Sequence, residues 1–370
     1  MNSFLDTYYD PQTSNKVEYT KKIIMDKSQS SLSPLKQLTT SPVYDTYWRF
    51  AAERQKIYFD RLDQQPTPWT SDPIIQIHKF TNAYRAADRV SQFLIKHVIY
   101  REDLPSTNEE VFFRIMLFKF FNKIETWQLL ESSLGCITFK DYSFDRYDTI
   151  LKNEMLKGKR IYSAAYIMPP GKIAYGYAQK HQNHLKLLEA MMSDKLVDKI
   201  AKLKKMQRAF ELIKSYPTIG DFLAYQFITD INYSEITDFS EMDFVIPGPG
   251  AKDGLRKCFK HHAGLSEPEL IRVMADYQEE EFERLNLNFK SLWGRRLQLI
   301  DCQNLFCEVD KYSRLAHPEI AGISGRTRIK QKYVSTGPLQ APWFPPKWNI
   351  NTKIDSYLRS SGIRPKIFTK

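Results

Sequence analysis

Apolar residues recur at α-helical spacing through most of this chain, while alternating strand-like patterns are short and rare. A segment with a period of 3.6 buries one stripe and leaves the other in water, so such a chain folds as packed helices. The pattern predicts helices over 80–99, 109–127, 182–215 (one or two helices with a lysine-rich outer face), 222–230, 267–285 and 297–315. An aromatic run at helical spacing, Tyr44, Tyr47, Trp48, Phe50, Tyr58 and Phe59, precedes them. Ser106, Thr107 and Asn108 offer caps before the second helix. The stretch 66–73, with Trp69 between prolines, reads as a connector. No repeat of fixed period is visible. The expectation is a mainly α helical bundle over residues 44–318. A loose leader, 1–43, rich in Ser, Thr and Gln, precedes it, and a tail, 319–370, follows.

Charge is concentrated in that tail. The 370 residues carry 54 Lys and Arg against 43 Asp and Glu, a net charge of +11. From Arg326 onward stand Arg326, Arg328, Lys330, Lys332, Lys347, Lys353, Arg359, Arg364, Lys366 and Lys370, opposed only by Asp355. Trp343, Phe344, Trp348, Tyr357 and Phe368 are interleaved with them. Cations among aromatics can hold phosphates and stack on bases, or the aromatics can wrap the core while the cations stay solvated. No apolar run reaches the roughly 18 residues of a membrane span, and residues 1–10 lack a signal-peptide pattern. Cys136, Cys258, Cys302 and Cys307 have no CxxC spacing. A cytoplasmic, metal-free monomer is expected.

Four segments can carry chemistry. In Tyr216-Pro217-Thr218-Ile219-Gly220-Asp221 a tight turn joins two helices, and Thr218 and Gly220 bring backbone N–H groups to a helix N-terminus. That suits a DNA phosphate, and it is equally an ordinary αα-hairpin. Asp243 then heads a loop, Gly248-Pro249-Gly250-Ala251-Lys252, that cannot be helix interior. Its glycines either admit a ligand to the backbone or serve the loop itself. Along 80–99, Asn82, Arg85 and Arg89 form one stripe with Asp88 beside them. Along 297–315, Asp301, Asn304, Glu308 and Lys311 form another. Two polar stripes on otherwise apolar helices can meet across a pocket, or brace one another.

Taken in order, Thr81-Asn82-x-x-Arg85-x-x-Asp88-Arg89, Phe121-Asn122, Ile219-Gly220-x-Phe222-x-Ala224-x-Gln226, Gly248-Pro249-Gly250-Ala251-x-x-Gly254 and Gln303-Asn304-x-x-Cys307-Glu308-x-Asp310-Lys311-Tyr312 resemble one family. It is the helical domain found with 5-hydroxymethyluracil DNA kinases, named also for α-glutamyl/putrescinyl-thymine pyrophosphorylases of phage hypermodified-base systems. In outline that domain is similar to helix-hairpin-helix DNA glycosylases. Antiphage glycosylases that excise α-glucosyl-5-hydroxymethylcytosine are the closest functional relatives the resemblance suggests.

The resemblance therefore implies a monofunctional, cofactor-free DNA glycosylase acting on double-stranded DNA with a bulky modified base. Asp243, with Asp238 as the other carboxylate in the expected interval, would stabilise the oxocarbenium-like sugar. Phe222 stands where bifunctional enzymes carry a lysine, which implies hydrolysis by water. Asn82, Arg85, Asp88, Arg89, Asn122, Asp301, Asn304, Glu308 and Lys311 would line the base pocket. Thr218, Gly220, Gly248, Gly250, Lys252, Arg326, Arg328 and Lys330 would meet the DNA. No GxxxxGK[ST] loop is present, so the sequence by itself does not predict a kinase. Two alternatives use the same cleft. One is a transferase that modifies 5-hydroxymethyluracil-derived bases, with Arg85, Arg89 and Lys311 holding a pyrophosphate leaving group. The other is a non-catalytic reader of modified DNA.

Overall fold

A computed structural model describes residues 34–335 and 337–361. The fold is mainly helical. Its helices are α1 (Pro42–Leu62), α2 (Pro73–Ile77), α3 (Arg89–Leu94), α4 (Asn108–Phe121), α5 (Ile124–Leu134), α6 (Phe144–Leu156), α7 (Lys172–Tyr175) and α8 (Lys180–Ser193). They continue with α9 (Leu196–Ala201), α10 (Met206–Lys214), α11 (Asp221–Ile231), α12 (Pro249–Cys258), α13 (Glu267–Asp276), α14 (Gln278–Arg284), α15 (Leu299–Ala316) and α16 (Asn351–Ser360). Among the described residues the sheet is one short antiparallel pair, β1 (Thr39–Thr40) on β2 (Phe259–His261), with Thr39 opposite His261 and Thr40 opposite Phe259. The leader's residues 1–33 and the tail's 362–370 lie outside the described residues.

Helix α1 begins where Ser41 accepts a hydrogen bond from the Val43 amide and Pro42 sets the first turn. The Ser41 hydroxyl also donates to the Lys257 carbonyl, tying this start to the end of α12. The aromatic face of α1 packs inward. Tyr47 lies 4.7 Å from the Phe306 ring of α15, Tyr44 5.5 Å from Phe259, and Trp48 5.1 Å from Phe282. The Gly-Pro-Gly segment expected as a loop is instead the start of α12, with Gly248 at the N-cap and Pro249 in the first turn, where a proline's missing N–H costs nothing. Helices α12 and α15 cross closely because the contact face of α12 is glycine. A β-carbon on Gly250 would stand 3.1 Å from the Cys307 Sγ, and one on Gly254 would stand 2.1 Å from the Phe306 carbonyl oxygen.

The 109–127 periodicity resolves into two helices. Thr107 caps α4 through the Glu110 amide, and Asn122 ends it in the left-handed region at φ 48°. The expected helix over 80–99 is not continuous. Residues 85–87 form a single 3-10 turn, Asp88 sits extended at the N-cap of α3, and 95–99 widen into a π turn. The apolar spacing survives these breaks, so periodicity alone does not reveal them. One consequence is that Asn82, Arg85 and Arg89 do not share a face.

The tail folds back on the core through its aromatics. Phe344 is buried and stacked on Trp348 at 5.7 Å, and Trp348 meets Tyr233 edge-on at 5.8 Å. Tyr357 packs against Phe59 and Trp293 and donates to Asp63 at 2.7 Å. Arg326, Arg328, Lys330 and Lys332 remain exposed.

Candidate functional site

Three charged groups meet in the interior where α4, α11 and the 81–88 segment converge. Asp230 projects from α11, whose surroundings on that helix are Leu223, Ala224, Phe227 and Ile231, all buried. Arg85 clasps its carboxylate with two parallel bonds, Nη1 to Oδ1 at 2.8 Å and Nη2 to Oδ2 at 3.1 Å. Lys119 of α4 reaches the same carboxylate at 2.9 Å. Arg85 is 3% exposed, Lys119 3% and Asp230 0%. Burial opposes ionisation of Asp230, but Arg85 and Lys119 together hold its carboxyl below the usual range. Burial likewise pulls the Lys119 ammonium down, against the support of Asp230. Two cations facing one carboxylate leave the cluster with an excess positive charge.

Neutral groups complete it. Gln226 accepts from Arg85 Nε at 3.0 Å, Tyr233 accepts from Nη1 at 3.0 Å, and Asn122 accepts from Lys119 at 2.7 Å. Tyr166 covers one side. Lys119 Nζ lies 4.8 Å from its ring centroid, and the ring stacks parallel on Phe222, 5.6 Å apart and 5° from coplanar. Phe222 in turn fills the space that Gly248 leaves: a β-carbon there would stand 2.7 Å from its ring.

The loop that delivers Arg85 is braced from α15 and α1. Thr81 donates its amide to Glu308 at 3.0 Å and accepts from Asn304 at 2.9 Å through its hydroxyl. Lys311 pairs with Glu308 at 2.7 Å. The Arg85 amide donates to Asp301 at 2.8 Å, the Asn82 amide to Asp88 at 2.8 Å, and Arg54 Nε to the Thr81 carbonyl at 2.9 Å. Burial pushes the Asp88 and Asp301 carboxyls up to about 7, even though each accepts from a backbone amide. The polar side chains of α15 therefore brace the 81–88 loop by direct hydrogen bonds, whereas Asn82, Arg85 and Arg89 form no common stripe.

With this geometry in hand, the family model described as 5-hmdU DNA kinase, helical domain, matches residues 41–322. The chain belongs to this family. It is similar to the 5-hmdU DNA kinase of Bacillus phage SP10, at 25% identity over 295 residues, covering 74% of this chain and 45% of that protein. The chain thus spans less than half the length of that relative. No solved structure matches. These findings overturn the base-excision reading. The family and the relative are named as kinases, which transfer a group and leave the glycosidic bond intact. The hydrolase assignment, the abasic product and the defence role built on it fall together, and the transferase alternative fits better.

The glycosylase roles of Asp243 and Asp238 fall with it. Both side chains are exposed on the loop after α11, where water rather than an enclosed site surrounds them. Glu241, between them, is the carboxylate turned inward, paired with Arg295 at 2.6 Å. Arg89 is exposed, its nearest carboxylate being Glu125 at 3.9 Å. The turn 215–220 lies at the surface, with Thr218 at φ 70° and Gly220 capping α11. Gly248 and Gly250 face Phe222 and Cys307, so packing inside the protein accounts for them, and Lys252 is exposed beside Glu267. Sequence reasoning singles out Arg85, Asp88 and Asn122 near the cluster but not Asp230, Lys119, Tyr233 or Tyr166. The available signal is a charge in each of the two most apolar helices. Among the described residues no group of three or more His, Cys, Asp or Glu is placed to hold a metal, and no helix is long and apolar enough to cross a membrane.

Proposed function

We propose that this domain binds double-stranded DNA carrying 5-hydroxymethyluracil and presents that base for a transferase reaction at its 5-substituent. The observation that carries the reading is the family match over 41–322, supported by similarity to a phage 5-hmdU DNA kinase. Residues 44–318 act as the substrate-binding unit, with 319–370 as a basic flank. The Arg85–Lys119–Asp230 cluster suits it, because its surplus cation favours an oxygen-rich or anionic substituent over a methyl group. Asp88 stands close enough to Arg85 for their charges to interact, and burial holds its carboxyl up to about 7. On the outside, the exposed turn 215–220 presents the α11 N-terminus, the arrangement helix-hairpin-helix proteins use on DNA phosphates.

The test is a binding comparison. Duplexes identical except for thymine or 5-hydroxymethyluracil at one position are titrated by fluorescence anisotropy at fixed salt. The modified duplex should bind about tenfold tighter, the worth of one hydrogen bond to a charged group at ~1.4 kcal/mol. Equal affinities, or no binding to either duplex, would refute the reading.

A further inference from the structure

The buried cation cluster is covered by a side chain shaped like the ligand it suits. Tyr166 presents a flat ring, parallel to Phe222 on one side and facing the Lys119 ammonium. Its phenol lies within the field of Arg85 and Asp230. A pyrimidine has similar breadth, stacks on an aromatic face in the same way, and carries exocyclic oxygens at its rim as Tyr166 carries its hydroxyl. The segment that holds Tyr166 is unlike the helices around it. Tyr166 itself has φ 55°, Ala164 to Tyr166 form a bend, and Ile167 is 72% exposed. A surface depression of about 450 Å³, lined by Ile161, Tyr162, Ser163, Ala164 and Ile167, flanks the segment and gives it space. Behind it the receptor is rigid: Lys119 and Arg85 are fixed by Asp230, and Asn122 ends α4 in a left-handed turn.

We propose that Tyr166 holds the place of an extrahelical pyrimidine, and that the base enters as Tyr166 swings out toward solvent. The incoming base stacks on Phe222, and its exocyclic oxygen or 5-substituent accepts from Lys119 and Arg85. Buried donors of this kind cannot be reached by a base still stacked in the duplex, so extrusion is required. The cost of displacing Tyr166 lowers the apparent affinity for every base and is repaid only by one that can satisfy the cations. This inference rests on the reading that the domain binds 5-hydroxymethyluracil DNA.

The experiment uses the full chain and a duplex in which 2-aminopurine neighbours one 5-hydroxymethyluracil, so that fluorescence rises on extrusion. Tyr166→Ala should bind about fivefold tighter than the unaltered protein and give a larger fluorescence rise, since the competing ring is gone. Phe222→Ala should bind but give a smaller rise. Tyr166→Phe, which keeps the ring, should resemble the unaltered protein in melting temperature and rise. A second measurement needs no variant: with 5-iodouracil at the target position, ultraviolet light should crosslink the base to the peptide containing Phe222 or Tyr166. If the protein prefers the modified duplex yet shows no fluorescence rise, or crosslinks only elsewhere, the Tyr166 proposal fails while the wider reading stands. If Tyr166→Ala melts lower with unchanged extrusion, the ring is structural and the proposal fails. Absence of DNA binding overturns both.

Discussion

Asp230 decides whether the interior can hold two cations. With its charge, Arg85 and Lys119 each have an ionic partner in a region that excludes water; without it, two cationic groups face one another unpaired. Asp230→Asn preserves shape and removes only that charge. It should lower the unfolding free energy by about 3–5 kcal/mol, as found when one partner of a buried ion pair is removed. Urea denaturation checks this, and a loss near zero would mean that the cations deprotonate or find water at little cost. Asp88 makes the opposite demand. Unfolded, it ionises near pH ~4, whereas the folded protein holds its proton to about 7 because burial disfavours the charge. Between these values the native state keeps a proton the unfolded chain has released. Its contribution is therefore complete below the unfolded pKa and is lost as pH climbs through the folded one. Asn cannot ionise, so Asp88→Asn should gain in melting temperature relative to the unaltered protein as pH is raised from 5 to 8 (roughly the window set by those two values). A difference that stays constant across that range refutes the assignment.

At the scale of elements, the crossing of α12 on α15 depends on a missing side chain. Gly254 faces backbone, which cannot rotate away, so Gly254→Ala must push the helices apart. Overpacking of this kind costs about 1–3 kcal/mol, and thermal unfolding should show it. Gly220, at the exposed turn, has open space where a β-carbon would go and φ −87°, so Gly220→Ala should melt like the unaltered protein. Helices such as α15 and the α10–α11 hairpin are legible in the sequence because one apolar stripe and strong punctuation, Pro217 and Gly220, mark them locally. The 80–99 segment is not, since Asp301 and Glu308, more than two hundred residues away in sequence, supply the hydrogen bonds that let its backbone leave the helix. The candidate site is half legible for the same reason. Arg85 and Asn122 stand out as polar residues in the motifs that carry the family resemblance, but the partnership of Asp230 with Lys119 exists only once α4 and α11 are side by side.

For the molecule as a whole, the tail divides by residue type. Trp343, Phe344, Trp348 and Tyr357 pack into or against the core, and Lys347 donates to the Ser234 and Thr237 carbonyls. Arg326, Arg328, Lys330 and Lys332 stay exposed, where the proposed DNA would meet them. Replacing these four with alanine should reduce the slope of log K against log salt for DNA binding by about 3–4 units, near one unit for each phosphate left without its cation. Replacing Lys353 and Arg359 in α16 should change the slope less, and an equal effect from both sets would show that charge acts at a distance rather than by touching the phosphates. The same tail carries a consequence for biosynthesis. The aromatic face of α1 leaves the ribosome well before its cover, which comes from Phe259, Phe282 and Phe306, and finally from Tyr357. Packing that spans so much sequence cannot form while the chain is still emerging. Tyr44, Trp48 and Phe59 must therefore wait, uncovered by these partners, until about two hundred or more further residues have been made, a span in which a chaperone that meets nascent chains can bind them.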